Sequence, residues 1–259
     1  MKPLFACFTI IASSCCWADI PARKTPAIAA PMAASPAKQE VEAERYFRRG
    51  VQFADGDGVA KDMSKAAEYY HKAAEKKHVP AQYSLAYLLE NGIGVKQDLK
   101  QAAFWYKEAA LQGDPQSQNN LGVLYATGSG VTKNDAEAVK WYKLAADQND
   151  TQGLANLAAM YQQGRGVARD YARAYALVSK AAEGGNPVAQ NNLALMYANG
   201  QGVAKDYIAA YAWLHVAASE IPASALVRDR IAKQLAPDQL ARAKQLAAVK
   251  LKKLSGAKQ

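Results

Sequence analysis

The chain has 259 residues, of which half are hydrophobic, so it can bury a sizeable core and its composition is not that of a disordered protein. Its net charge of +9 at pH 7 would by itself suggest an anionic partner. However, residues 44–221 hold 19 Lys and Arg against 18 Asp and Glu, whereas residues 222–259 hold nine basic and two acidic residues. The near-neutral residues 44–221 argue against nucleic-acid binding. The excess of positive charge lies mainly in the C-terminal residues 222–259.

The first 18 residues have the pattern of a secretory signal peptide. Lys2 supplies a positive charge, and Ala18 is a suitable last residue before cleavage. Residues 4–12 are apolar except for Thr9 and form a segment too short to cross a membrane. We therefore expect a periplasmic or secreted protein. Two alternatives stay open: a lipid anchor on Cys15 or Cys16, and a buried N-terminal helix.

All three cysteines, which are Cys7, Cys15 and Cys16, lie in this segment, so cleavage after Ala18 leaves none for a disulfide, a metal site or a nucleophile. Residues 19–43 are rich in Ala and Pro, with prolines every five residues at positions 21, 26, 31 and 36. Such a segment favours extended conformations, and we predict a disordered tether over 19–43. A Pro-rich ligand for a partner's groove is the alternative.

A glycine pattern with a period of 36 residues dominates the rest of the chain. Each copy has the form Gly-x-Gly-Val, followed three residues later by Asp or Asn and then by Ala at fixed positions. The glycine doublets are Gly56/Gly58, Gly92/Gly94, Gly128/Gly130, Gly164/Gly166 and Gly200/Gly202. Five copies in strict register indicate a repeat protein.

Each unit has the signals of two helices joined by a tight turn. In the second unit, Pro80 suits the start of a first helix, and Gly92 and Gly94 end it. Asp98 is placed to cap the second helix, with Gln101 three residues later as in a capping box. Trp residues 105, 141 and 213 recur at one position of the second helix and are expected to fill the space between layers.

One helix pair cannot bury its own apolar face, but stacked pairs can. We therefore predict an all-α fold: a right-handed α-solenoid of five 36-residue helix pairs over residues 44–221. Residues 222–259 lack the repeat and are predicted to form basic C-terminal capping helices, from Ser224 to Leu235 and from Pro237 to Leu254.

These motifs resemble those of the Sel1-like repeat family, which is related to the tetratricopeptide repeats. The third unit carries the motif almost whole: Asn120-Leu121-Gly122, Tyr125, Gly128, Gly130-Val131, Asn134, Ala138, Trp141-Tyr142 and Ala145-Ala146. The resemblance covers about residues 44–219. It implies a bacterial interaction protein of the cell envelope or of host contact, without enzymatic activity.

Catalytic and metal-binding patterns are weak. The histidines, His71, His78 and His215, have no partners at metal-ligand spacing, and we expect neither a metal nor a cofactor. Ser35 and Lys38 form a Ser-x-x-Lys sequence, but it contains a proline and lies in the predicted tether. The Gly-x-Gly-Val turns lack the lysine of a phosphate-binding loop.

The first helix of each pair is expected to line the concave side of such a solenoid. Its non-core positions give four candidate protein-binding residues: Tyr83, Tyr87, Asn119 and Asn191. The asparagines that recur at the repeat period, at 120, 156 and 192, are expected to form hydrogen bonds between adjacent repeats instead.

The sequence thus predicts a non-enzymatic scaffold or adaptor of the cell envelope, a monomer that binds another protein on its concave face. The alternatives are a β-lactam- or peptidoglycan-related enzyme or binding protein, and a periplasmic regulator of a sensor or a lytic enzyme. The basic C-terminal helices add a weak electrostatic contact with the anionic envelope, or only a solvated cap.

Overall fold

The structure, a computed structural model, describes residues 36–256, and these residues form helices and connecting turns without a strand. The predicted signal peptide, most of the predicted tether and the last three residues lie outside the described part. The helices are α1 Pro36–Asp55, α2 Met63–Ala74, α3 Val79–Asn91, α4 Leu99–Leu111, α5 Pro115–Thr127, α6 Asp135–Asp147, α7 Thr151–Gln163, α8 Tyr171–Glu183, α9 Pro187–Asn199, α10 Tyr207–Ala217, α11 Ala223–Ala232 and α12 Pro237–Gly256. No helix among them is both long enough and apolar enough to cross a membrane.

The first ten helices form five antiparallel pairs, α1–α2 to α9–α10, and each second helix also packs on the first helix of the next pair. The pairs follow one another with the period of the glycine doublets, which confirms the predicted right-handed α-solenoid of helix-pair repeats. The bulky aromatic residues lie where the sequence predicts: Trp105 and Trp213 are buried and Trp141 is half-buried among the stacked helices.

Each second helix begins at an Asp or Asn whose side chain accepts hydrogen bonds from the first turn, as Asp98 does from the backbone N–H groups of Lys100 and Gln101, both at 3.0 Å. The predicted capping box is only half formed. The backbone N–H of Asp98 donates instead to the carbonyl of Leu89, at 2.9 Å, and the other four caps repeat this bond. The bond ties the turn to the preceding helix.

The second glycine of each doublet fixes how closely neighbouring repeats approach. Gly130 has φ +72°, and a Cβ atom added there would lie 2.0 Å from the carbonyl oxygen of Leu99, at the start of the preceding second helix. The distance to the equivalent carbonyl oxygen is 2.6 Å for Gly94, 2.3 Å for Gly166 and 2.0 Å for Gly202. Any side chain at these positions would push adjacent repeats apart.

The start of the first helix differs from the prediction. Helix α1 begins at Pro36, so residues 36–43, which we assigned to the tether, are helical in the structure. The reason is local: Pro36 suits a first helical turn, the following residues are good helix formers, and Ala43 is buried. At the other end, helices are present where the sequence predicts them, as α11 and α12, and each packs on α10.

The glycine contact predicts a large and position-specific cost of substitution. We expect Gly130→Ala to lower the free energy of unfolding by about 3 kcal/mol or more, because it adds a steric clash to the backbone strain of a positive φ. Gly58→Ala is the matched control, since Gly58 has φ +68° but nothing within 4 Å of an added Cβ. It should cost only the strain, about 1–2 kcal/mol. Urea denaturation followed by circular dichroism measures both, and equal losses would contradict the stacking argument.

Candidate protein-binding surface

The first helices of repeats two to five, α3, α5, α7 and α9, form one side of the solenoid, which we call the inner face. Besides their neighbours in sequence, α5 and α7 also pack on each other. The sequence predicts that this side is the concave one.

The inner face is almost free of charge. The four helices α3, α5, α7 and α9 contain a single ionisable carboxylate or cation, Glu90. That carboxylate accepts a hydrogen bond from the Tyr106 hydroxyl at 2.8 Å, and burial together with Glu90 raises the pKa of Tyr106 well above its ordinary value. Amides, hydroxyls and small apolar groups make up the rest of the surface, so its recognition chemistry is that of neutral hydrogen bonds.

Tyr83 and Tyr87 lie one helical turn apart on α3. The Tyr83 ring is partly buried and meets the Tyr106 ring edge-on, with centroids 5.9 Å apart, and burial raises the pKa of Tyr83. Tyr87 is 45% exposed. The pair therefore offers a rigid ring set in the surface beside a ring that projects from it.

Asn119 lies inside the stack, although it occupies the same repeat position as Tyr83. It is only 7% exposed. Its Oδ1 accepts a hydrogen bond from Asn156 Nδ2 at 2.8 Å, and its Nδ2 donates to Asn120 Oδ1 at 3.2 Å. The bond from Asn156 is of the type expected for the recurring asparagines, since it joins adjacent repeats. Asn119 is a structural residue in this geometry and is not available to a ligand.

Asn191 is partly exposed, and its Oδ1 accepts a hydrogen bond from the Ser224 hydroxyl of α11 at 2.8 Å. It lies three repeats from Tyr83, so the four predicted residues do not form one cluster. Only Tyr83 and Tyr87 lie together.

A second internal network involves recurring glutamines of the first helices. Gln82, Gln118 and Gln190 are buried, and each side-chain amide donates to the carbonyl of an alanine at the end of the preceding helix, at 3.1–3.3 Å. In two repeats the amide oxygen of the buried glutamine also accepts a hydrogen bond from a glutamine 30 residues later. Gln112 donates to Gln82, and Gln148 donates to Gln118. The 36-residue recurrence of Gln at three of four equivalent positions was the signal for a structural role.

The C-terminal helix α12 carries a basic surface. Arg242, Lys244, Lys252 and Lys253 are exposed there. Lys250 differs, because its ammonium lies 3.9 Å from the centroid of the Trp213 ring and burial lowers its pKa. Lys250 therefore holds α12 on α10, while the other four cations face solvent.

Within residues 36–256, no group of three or more His, Cys, Asp and Glu side chains is arranged to hold a metal ion. The fold and this surface define a class: solenoids of stacked helix pairs with an inner face free to contact a ligand. The sequence profile of the Sel1 repeat matches five consecutive units, at residues 46–78, 79–114, 115–150, 151–186 and 187–220. The chain belongs to the Sel1 repeat family.

Two solved structures support the assignment. The chain is 33% identical to c5321, described as a protective antigen present in uropathogenic Escherichia coli strains and displaying an SLR fold, with a TM-score of 0.72 over 87% of this chain. It spans 49% of that protein, about half of its length. It is 30% identical to a Sel1 repeat protein from Oxalobacter formigenes, with a TM-score of 0.71, over 83% of this chain and 88% of that one.

No match is found among proteins of curated function. Sel1 repeat proteins are generally scaffolds for protein–protein interaction and are typically not enzymes.

The different surroundings of the candidate residues predict different effects on stability. We expect Asn119→Ala to lower the free energy of unfolding by about 1–3 kcal/mol, because it leaves the Asn156 amide without its partner. Tyr87→Ala should change it by no more than about 0.5 kcal/mol, because the side chain is largely on the surface. Thermal melting of both variants measures the contrast. An Asn119→Ala variant as stable as the wild type would contradict a structural role for Asn119.

Proposed function

We propose that this protein is a non-enzymatic scaffold or adaptor of the cell envelope that binds a segment of a partner protein along its inner face. The observation that carries the proposal is the uncharged inner face of α3, α5, α7 and α9 beside charged second helices. A neutral surface of amides and hydroxyls suits a partner backbone, because each amide can both donate to a carbonyl and accept from an N–H.

Tyr83 and Tyr87 are the anchors of this proposed site. Tyrosine buries a large area at low entropic cost and keeps a hydroxyl for hydrogen bonding, which is why it is enriched at the centres of interfaces. The edge-on contact with Tyr106 holds the Tyr83 ring in place before binding. Pre-organisation of this kind lowers the entropic cost of association.

The envelope location in this proposal rests on the signal-peptide pattern of residues 1–18. Regulation of a sensor or lytic enzyme would use the same surface and is a special case of the proposal. Activity on β-lactams or peptidoglycan has no support from a particular arrangement of the described side chains.

The proposed anchors predict a selective loss of binding. Crosslinking in the native envelope followed by mass spectrometry identifies the partner, and titration calorimetry with that partner then measures affinity. We expect Tyr87→Ala to weaken binding by about 10-fold or more, as for a central aromatic anchor. Because the inner face is neutral, raising the salt concentration should leave the dissociation constant nearly unchanged.

Phe104→Ala is the matched control, since Phe104 is an aromatic residue of similar exposure, 49%, on the second helix α4. Equal losses from Tyr87→Ala and Phe104→Ala would contradict binding on the inner face. A strong salt dependence would show that another surface dominates.

The basic surface of α12 supports a second, auxiliary function: contact with an anionic component of the envelope, either a lipid headgroup or a wall polymer. Apart from Lys253, which lies 3.6 Å from Glu183, the exposed cations Arg242, Lys244 and Lys252 have no ion pair recorded in the described residues. These cations attract phosphate or carboxylate groups, which both kinds of target carry.

Reversal of this charge gives the test. We expect the triple variant Arg242→Glu, Lys244→Glu and Lys252→Glu to lose binding to vesicles with anionic headgroups at low salt, while Lys250 and its contact with Trp213 remain. Co-sedimentation with anionic vesicles and with purified peptidoglycan distinguishes the two sources. Neutral vesicles are the control. If the wild-type protein binds neither anionic target, the proposed auxiliary function is wrong.

A further inference from the structure

The second repeat carries residues on the inner face that the other first helices lack. Tyr83, Tyr87 and Glu90 stand at positions i, i+4 and i+7 of α3, which lie on one side of a helix. The equivalent residues of the later repeats are small, aliphatic or amides: Asn119, Val123 and Ala126 in α5, Ala155, Ala159 and Gln162 in α7, and Asn191, Leu195 and Ala198 in α9. Those helices stack without two aromatic rings and a carboxylate there, so the stacking of repeats does not require them.

Glu90 is the one charged side chain of the inner face, and one of its two oxygens is free of protein contacts. Its Oε2 accepts the hydrogen bond from the Tyr106 hydroxyl, at 2.8 Å. No hydrogen bond to Oε1 is recorded among the described residues, and none of their ion pairs includes Glu90. Glu90 is half-buried, where a charge without a counter-ion costs free energy. A cation brought to Oε1 would therefore be stabilised.

The two tyrosines lie next to this carboxylate. Burial raises the pKa of Tyr83, and the nearby charges of Asp114 and Glu90 raise it further. Tyr87 lies between Tyr83 and Glu90 on the same side of the helix, and it is 45% exposed. The face of a tyrosine ring attracts a cation, and aromatic rings beside a carboxylate are a recurring arrangement for binding an ammonium group.

We propose that Tyr83, Tyr87 and Glu90 form a subsite for one lysine side chain of the partner segment. The ammonium group contacts Glu90 Oε1 and the exposed ring of Tyr87, and the methylene stem packs on the aromatic rings. This inference rests on the proposed function and deepens it. The neutral remainder of the inner face binds the partner's backbone, and the single charge fixes the register of the bound segment.

The occupied oxygen of Glu90 favours lysine over arginine. A guanidinium binds a carboxylate best through two parallel hydrogen bonds, one to each oxygen, and here Tyr106 already donates to Oε2. An ammonium group is a compact charge that needs one oxygen only. Because a single, partly buried ion pair is screened little by salt, the subsite is compatible with the weak salt dependence expected for the inner face.

A phage library of random dodecapeptides, panned on the full chain, supplies the probe. Peptides are kept when Tyr87→Ala weakens their binding by about 10-fold or more, because this criterion selects the inner face. We expect the kept sequences to share a lysine at one fixed position. In fluorescence anisotropy, norleucine in place of this lysine keeps most of the stem, removes the charge and should weaken binding by about 10-fold, whereas arginine should weaken it by about threefold.

The complementary change removes the charge from the protein. Glu90→Gln keeps an acceptor for the Tyr106 hydroxyl, and it should weaken the lysine peptide by about 10-fold but the norleucine peptide by no more than about twofold. Glu108→Gln is the matched control, since Glu108 is also half-buried but lies on the second helix α4. It should leave both affinities unchanged. Thermal melting verifies that both variants are folded.

The outcomes separate this inference from the proposed function. Kept peptides without a shared lysine overturn the lysine subsite and leave binding on the inner face standing. A lysine that norleucine or arginine replaces without loss does the same, as do equal losses of the lysine and norleucine peptides in Glu90→Gln. A library that yields no peptide sensitive to Tyr87→Ala overturns both proposals.

Discussion

The solenoid depends on one close approach: the second glycine of each doublet lies directly against the backbone at the start of the preceding second helix. In four repeats an added Cβ would come within 2.0–2.4 Å of that backbone, and only glycine has neither this atom nor a penalty for positive φ. An inserted residue between two doublets would move the glycine away from its contact. The constant 36-residue spacing is thus a consequence of packing. Gly58, which has no preceding repeat among the described residues, has nothing within 4 Å of an added Cβ.

The same packing explains why the first helices of the repeats carry almost no charge, while the second helices carry most of it. On the inner face many side chains are half-buried between neighbouring first helices, where an ion would lose hydration without gaining a fixed partner. Amides avoid this cost because they bond within and between repeats, as Asn156 does with Asn119 and Gln148 with Gln118. The second helices face solvent on their outer side and carry the charges. A neutral recognition surface therefore follows from how the stack is built.

The architecture could be predicted from the sequence because glycine, caps and alanine faces repeat, and each copy confirms the others. The candidate site could be predicted only in part. Tyr83 and Asn119 occupy equivalent positions, yet one reaches the surface and the other is buried, because Asn156 of the next repeat bonds to Asn119. That contact depends on a side chain 37 residues away. Likewise, nothing periodic beyond residue 221 indicates that α11 and α12 would each pack on α10 instead of forming a pair.

The two ends of the described stack cover their outermost aromatic rings with different chemistry. At the C-terminal end, α11 and α12 cover α10, and Lys250 over Trp213 strengthens the cover. At the N-terminal end, the described residues provide only arginines over aromatic rings. The aromatic rings at this end are therefore shielded by cations, whereas at the other end two further helices and one cation cover the rings of α10.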